Sequence, residues 1–195
     1  MEGVAEAKDS PLEALGAGAL ALLLCYWAYQ LLTLAQPYIP LDYVNFVTHE
    51  TGGVLFIFFN QFYFMLGQNV YQNLVPIAFL YYFFRRKDHI ACAFCGFWFG
   101  ESLLQTGNYM KDAQAMLLPI TSIWTGDGSG SSNGHDWNYI FSHTGLLPYC
   151  TQIGGFFWAI GAICIIGSIG YLLYLSIKSI YPDFTLTVKP GAQNV

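Results

Sequence analysis

From Leu12 to Ala35 the chain carries only Glu13, Gln30 and Thr33 as polar interruptions, and it then meets Pro37 and Pro40. A helix of about 20 mostly apolar residues matches the thickness of a bilayer's hydrocarbon core, and proline disfavours continuing a helix, so this run predicts a membrane helix ending before the prolines. Every later element must be compatible with such a start.

Composition agrees with that reading. Of 195 residues, 55% are hydrophobic, 18% are aromatic and only 10% are charged, where a soluble domain carries roughly 25% charged residues to face water. The mean hydropathy is +0.43. A net charge of -5 with seven Lys and Arg leaves no basic surface able to neutralise a row of phosphates, which excludes nucleic acid as a partner. The five cysteines, Cys25, Cys92, Cys95, Cys150 and Cys164, fall mostly in apolar runs, where thiols pack as small hydrophobes. Cys92 and Cys95 form a single C-x-x-C without a second pair, and packing is the reading for it too.

Four further segments follow. The run Tyr43 to Leu66 is long enough to span but carries Asn45, His49, Glu50, Asn60 and Gln61, each costly in hydrocarbon unless it faces protein or water. Val70 to Phe84 ends in Arg85, Arg86 and Lys87, and the next run begins at His89, which predicts a tight antiparallel hairpin. That basic link is expected in the cytoplasm, with the acidic N-terminus on the opposite side if every run spans. After Pro119, the stretch 125–134 (TGDGSGSSNG) is rich in Gly and Ser and reads as a flexible loop. Asp136 to Leu147 reads as a short interfacial segment and Ile153 to Ile177 as a last spanning helix. The expectation is an all-α integral membrane protein, a bundle of about five apolar helices, with the run 43–66 re-entrant or broken near Gly52, Gly53 or the Asn60–Gln61 pair. It has a polar tail at 1–11, a single transmembrane domain at 12–180 and a second tail at 181–195. No internal repeat supports an inverted-repeat transporter.

Glu101, Gln105, Asn108 and Asp112 stand at steps of four, three and four, which places them on one helix face as a polar stripe. Such a stripe turns to the bundle interior or a wet cavity; interhelical hydrogen bonding is its simplest role. His49 with Glu50, and His135 with Asp136, form two adjacent His–acid pairs that could approach Asp112. Imidazole and carboxylate suit zinc and related ions. His89 and His143 are read as interfacial, without a role.

The string VTHETGGVLF from Val47 to Phe56, then Gly67, Gln72 and Pro76, then WFGESLLQTGNYMKDAQ and GHDWNYIFSHTGLL, resembles small membrane proteins of the site-2-protease-like metallopeptidase class over roughly residues 43–155. In the H-E-x-x-H logic two His one turn apart bind zinc and the intervening Glu is the general base. By that resemblance His49 stands as first ligand, Glu50 as base and Asp112 as an acidic ligand. Gly53 occupies the second His position, and Gln114 replaces the Arg of a D-A-R motif.

With that degeneracy, the resemblance implies a non-catalytic relative that serves as an accessory or binding subunit of a larger membrane assembly, in a bacterial inner membrane. The alternative is an active metal-dependent intramembrane peptidase with a rebuilt site, in which His49, Asp112 and His135 hold zinc or another transition metal and Glu50 activates water. A third, from a different class, is a small-solute or ion-handling protein that uses the Glu101 to Asp112 stripe. The expected partners are the bilayer and other membrane subunits.

Overall fold

The computed structural model describes residues 11–34, 37–118 and 135–181. The first ten residues, the Gly/Ser stretch 125–134 and the tail beyond Tyr181 lie outside the described residues. Among those described there are six α-helices and no strand: α1 (Pro11–Thr33), α2 (Pro40–Phe56), α3 (Gln61–Arg85), α4 (His89–Asp112), α5 (Asp136–Thr144) and α6 (Cys150–Ile180), with a single 3-10 turn at Leu147–Tyr149. By length and composition, α1 and α6 are long and apolar enough to cross a membrane.

The segment read as one run from Tyr43 to Leu66 is two helices. α2 stops at Phe56, and the Asn60 side chain caps α3 by accepting from the Tyr63 N–H at 3.2 Å. A short polar side chain at that position satisfies one of the orphan donors of a new helix more readily than it continues an old one. α3 then runs unbroken through Pro76 to Arg85, absorbing the segment expected to begin at Val70. The hairpin expected at the basic link is present, with Asp88 capping α4 by accepting from the Ala91 N–H at 3.0 Å.

α4 lies at the centre, packed against α6 on one side and α3 on the other; α1 covers α6, and α2 pairs with α3. The α4–α6 contact is a seam of small residues. A Cβ built at Gly100 would stand 2.7 Å from the Gly161 carbonyl oxygen, one at Gly107 would stand 2.6 Å from that of Gly154, and one at Gly96 would meet the Ser168 hydroxyl at 2.7 Å. Backbones this close leave no room for any side chain, the arrangement that small residues permit between membrane helices. The paired numbers rise along one helix as they fall along the other, so the two run antiparallel.

Two apolar clusters fill the interior. One joins α1, α4 and α6 through Leu24, Phe97, Ile165 and Leu172. The other gathers Met65, Met110, Trp137 and Phe141 under α5. Between them α2 begins beside the middle of α4, where Asp42 and Asn45 meet Glu101 and Gln105, and ends beside the start of α3, where the Phe56 ring covers Gly67. α2 therefore does not traverse the bundle. The start of α1, the Arg86–Lys87 link and the end of α6 sit together at one end of the bundle.

Candidate functional site

The polar residues of α2, α3 and α4 form one hydrogen-bonded string whose polarity is fixed at its start. The Trp98 indole N–H can only donate, and it reaches Asn45 Oδ1 at 2.7 Å, which turns the Asn45 amide nitrogen towards Glu101 Oε2 at 2.5 Å and Gln105 Oε1 at 2.9 Å. With its oxygen so engaged, Gln105 donates to Asp42 Oδ1. Gln72 donates to Gln105 Oε1 and to Ser102, both at 3.3 Å, leaving its own oxygen for His49 Nδ1 at 3.2 Å.

Asp42 accepts on both carboxyl oxygens, from Gln105 and from the Ile39 N–H that opens α2. Its carboxyl also lies close to that of Glu101. Glu101 is fully buried, and among the described residues no donor reaches its Oε1. Two neighbouring carboxyls in an apolar setting disfavour double ionisation.

The predicted ligands divide into two pairs, and the partners are exchanged relative to their neighbours in sequence. His49 Nε2 lies 3.3 Å from Asp136 Oδ2, joining α2 to α5, and His135 Nε2 lies 3.4 Å from Asp112 Oδ2 at the end of α4. Asp136 also accepts from Asn69 Nδ2 at 2.8 Å, and the Trp137 indole fixes that amide by donating to Asn69 Oδ1 at 2.9 Å.

His135 is the N-cap of α5: its Nδ1 accepts from the Asn138 N–H at 3.2 Å, so the ring hydrogen sits on Nε2, which lies near Asp112 without making a hydrogen bond among the described residues. The imidazole is wholly buried and stacks on Tyr109 with centroids 4.2 Å apart. Burial holds its pKa below the ordinary histidine value, against the opposing pull of Asp112 and Asp136. Asp112 in turn accepts from the Leu117 and Leu118 N–H groups, both at 2.9 Å, and so organises the turn after α4.

Each Nδ1 thus meets a protein partner and each Nε2 lies 3.3–3.4 Å from a carboxylate, though that of His135 makes no hydrogen bond among the described residues. Among the described residues no group of three or more His, Cys, Asp or Glu is placed to hold a metal ion, and His49, Asp112 and His135 are not gathered into one ligand set. Catalytic zinc requires about three converging protein ligands with an open position, so this donor set does not fit it. Glu50 is buried. Gly52, beside the position of the missing second His, brings α2 onto α3: a Cβ there would stand 2.8 Å from the Gln68 Cα.

The stripe on α4 is divided as well. Glu101 and Gln105 belong to the string with α2 and α3, Asp112 belongs to His135, and Asn108 between them is half-buried. His89 bonds the Tyr171 hydroxyl at 2.8 Å, His143 bonds the Tyr139 carbonyl at 2.8 Å, and all five cysteines are free thiols. The residues that sequence reasoning missed are Asp42, Asn69 and Gln72 as network members and Asp136 as the partner of His49. Asp42, Asn45 and His49 recur at steps of three and four on α2, a polar face as regular as that of α4. The chain matches no protein-family model, no curated protein and no solved structure.

Proposed function

We propose that this chain is an integral membrane protein whose buried polar groups hold helices together and do not hydrolyse peptide bonds, serving as an accessory or binding subunit of a larger membrane assembly. The observation that carries the non-hydrolytic part is that His49 and His135 sit in two separate pairs, with Asp136 and with Asp112, and that among the described residues no three such ligands converge. Support for the membrane comes from α1 and α6 together with large apolar side chains left outward, including Leu12, Leu22, Phe58 and Ile163 at 77%, 72%, 94% and 70% exposure. A surface of that kind is costly in water and ordinary in lipid.

The test is purification in mild detergent without chelator or affinity nickel, with metal quantified per chain beside a His49→Ala control and the particle mass measured. The expected result is no stoichiometric transition metal in either protein and a particle larger than one chain that contains other subunits. One equivalent of metal, lost in the variant, would establish the rebuilt peptidase site instead. A lone monomer would remove the accessory role.

A second reading, proton handling, is favoured by the Asp42–Glu101 contact in the interior. It predicts an infrared band of a protonated carboxyl that disappears in Glu101→Gln, and proton flux in liposomes that the same change and Asp112→Asn reduce. Flux equal in all three proteins would end it.

A further inference from the structure

At the end of the bundle opposite α5, a cavity of about 940 Å³ opens between α1 and α3, floored by α4. Its walls are apolar, with Ala17 and Leu20 on one side, Phe79 and Phe83 on the other and Phe94 below. Its mouth is polar and mainly basic: Arg86, Lys87 and His89 line it with one acid among the described residues, Asp88, whose carboxylate is engaged in capping α4. Arg86 lies over the Tyr82 ring at 5.2 Å, a contact to the guanidinium face that leaves its N–H edge available to an anion. The buried Ser179 hydroxyl also lines the cavity and has no hydrogen-bond partner among the described residues.

An apolar slot with cationic side chains at its mouth and an unsatisfied hydroxyl in its lining matches an amphiphile with an anionic head. Basic pockets between membrane helices on the cytoplasmic side take phospholipid head groups. We infer that this cavity holds one anionic phospholipid, its phosphate at Arg86, Lys87 and Ser179 and an acyl chain between α1 and α3. The inference rests on the membrane reading above.

The test uses full-length protein purified in mild detergent and titrated with phosphatidylglycerol or with phosphatidylcholine of the same acyl chains. Inorganic phosphate provides a third arm. The readouts are the thermal midpoint and bound lipid by native mass spectrometry. The variant is Arg86→Gln with Lys87→Asn; asparagine is chosen because Lys87 has a φ of 59°, which Asn tolerates. Phosphatidylglycerol is expected to raise the wild-type midpoint and to remain bound as one molecule, with phosphatidylcholine and phosphate giving no shift. The variant should bind it roughly 30-fold more weakly, about tenfold for each 1.4 kcal/mol at about 1 kcal/mol per basic side chain.

Equal shifts from both lipids, or equal affinity in the variant, would overturn the inference, as would a shift from phosphate alone. Alkaline carbonate extraction of the native membranes separates this from failure of the premise. Protein released by carbonate would refute the membrane reading itself, whereas retained protein without lipid preference refutes the lipid site alone.

Discussion

Replacing Gly154 by alanine tests the α4–α6 seam, because the adjacent Gly155 is its internal control. A Cβ at Gly154 would collide with the Gly107 carbonyl oxygen and stand 2.8 Å from the Lys111 backbone nitrogen, whereas a Cβ at Gly155 meets nothing within 4 Å. The obstructing atoms at Gly154 are backbone, so relief requires the helices to part by roughly half an ångström or more, which forfeits about a quarter of each contact's attraction along the seam. Overpacking of this kind costs about 1–3 kcal/mol, while alanine recovers up to about 1 kcal/mol of helix propensity at either position. Gly154→Ala should therefore be destabilised by about 1–2 kcal/mol, a midpoint lowered by about 2–8 °C for a chain of this size. Gly155→Ala should melt at or slightly above the wild type. The assay is thermal unfolding in detergent followed by tryptophan fluorescence. A Gly154→Ala midpoint equal to that of Gly155→Ala would refute the close-contact reasoning.

Three other outcomes are expected. Asn45→Ala strands the Trp98 N–H and removes a donor from both Glu101 and Gln105, at about 1–3 kcal/mol for the stranded indole alone; a midpoint unchanged from wild type would refute the string's polarity. For His135, the folded pKa lies below the unfolded value of about 6.5. The unfolded chain then binds more protons, so this contribution is complete above about pH 6.5 and is lost as pH falls towards the folded value. His135→Asn keeps a capping oxygen and should flatten the fall in midpoint on acidification; an unchanged slope would count against it. Gly52→Ala places a Cβ against the Gln68 and Tyr71 backbone and side chain and should lower the midpoint by about 1–3 kcal/mol in equivalent terms, whereas no loss would show that α2 shifts freely on α3.

The parts of the fold written in local pattern were legible, and those set by approach in three dimensions were not. α1, the α3–α4 hairpin and α6 follow from apolar length and a basic turn. Of the places where the run 43–66 is expected to break, Gly52, Gly53 or the Asn60–Gln61 pair, the break falls at the last, where Asn60 is a favoured capping residue. At the site, the stripe on α4 was visible from its spacing, yet its division between Asp42 and His135 depends on where α2 starts and α5 lands. Pairing His49 with Glu50, or His135 with Asp136, follows adjacency along the chain. Consecutive helical side chains point about 100° apart, so each imidazole finds its acid on another helix.

The glycine seam also sets a direction. Gly96, Gly100 and Gly107 lie on one side of α4, and Glu101 and Gln105 lie roughly a third to just under half a turn round the same helix. Because carbonyl oxygens of α6 rest directly against that side, α4 cannot roll about its axis without driving a neighbouring side chain into backbone. The seam thus acts as a keyway: it fixes the azimuth at which the buried acids look out, and α2 and α3 dock onto a face already aimed.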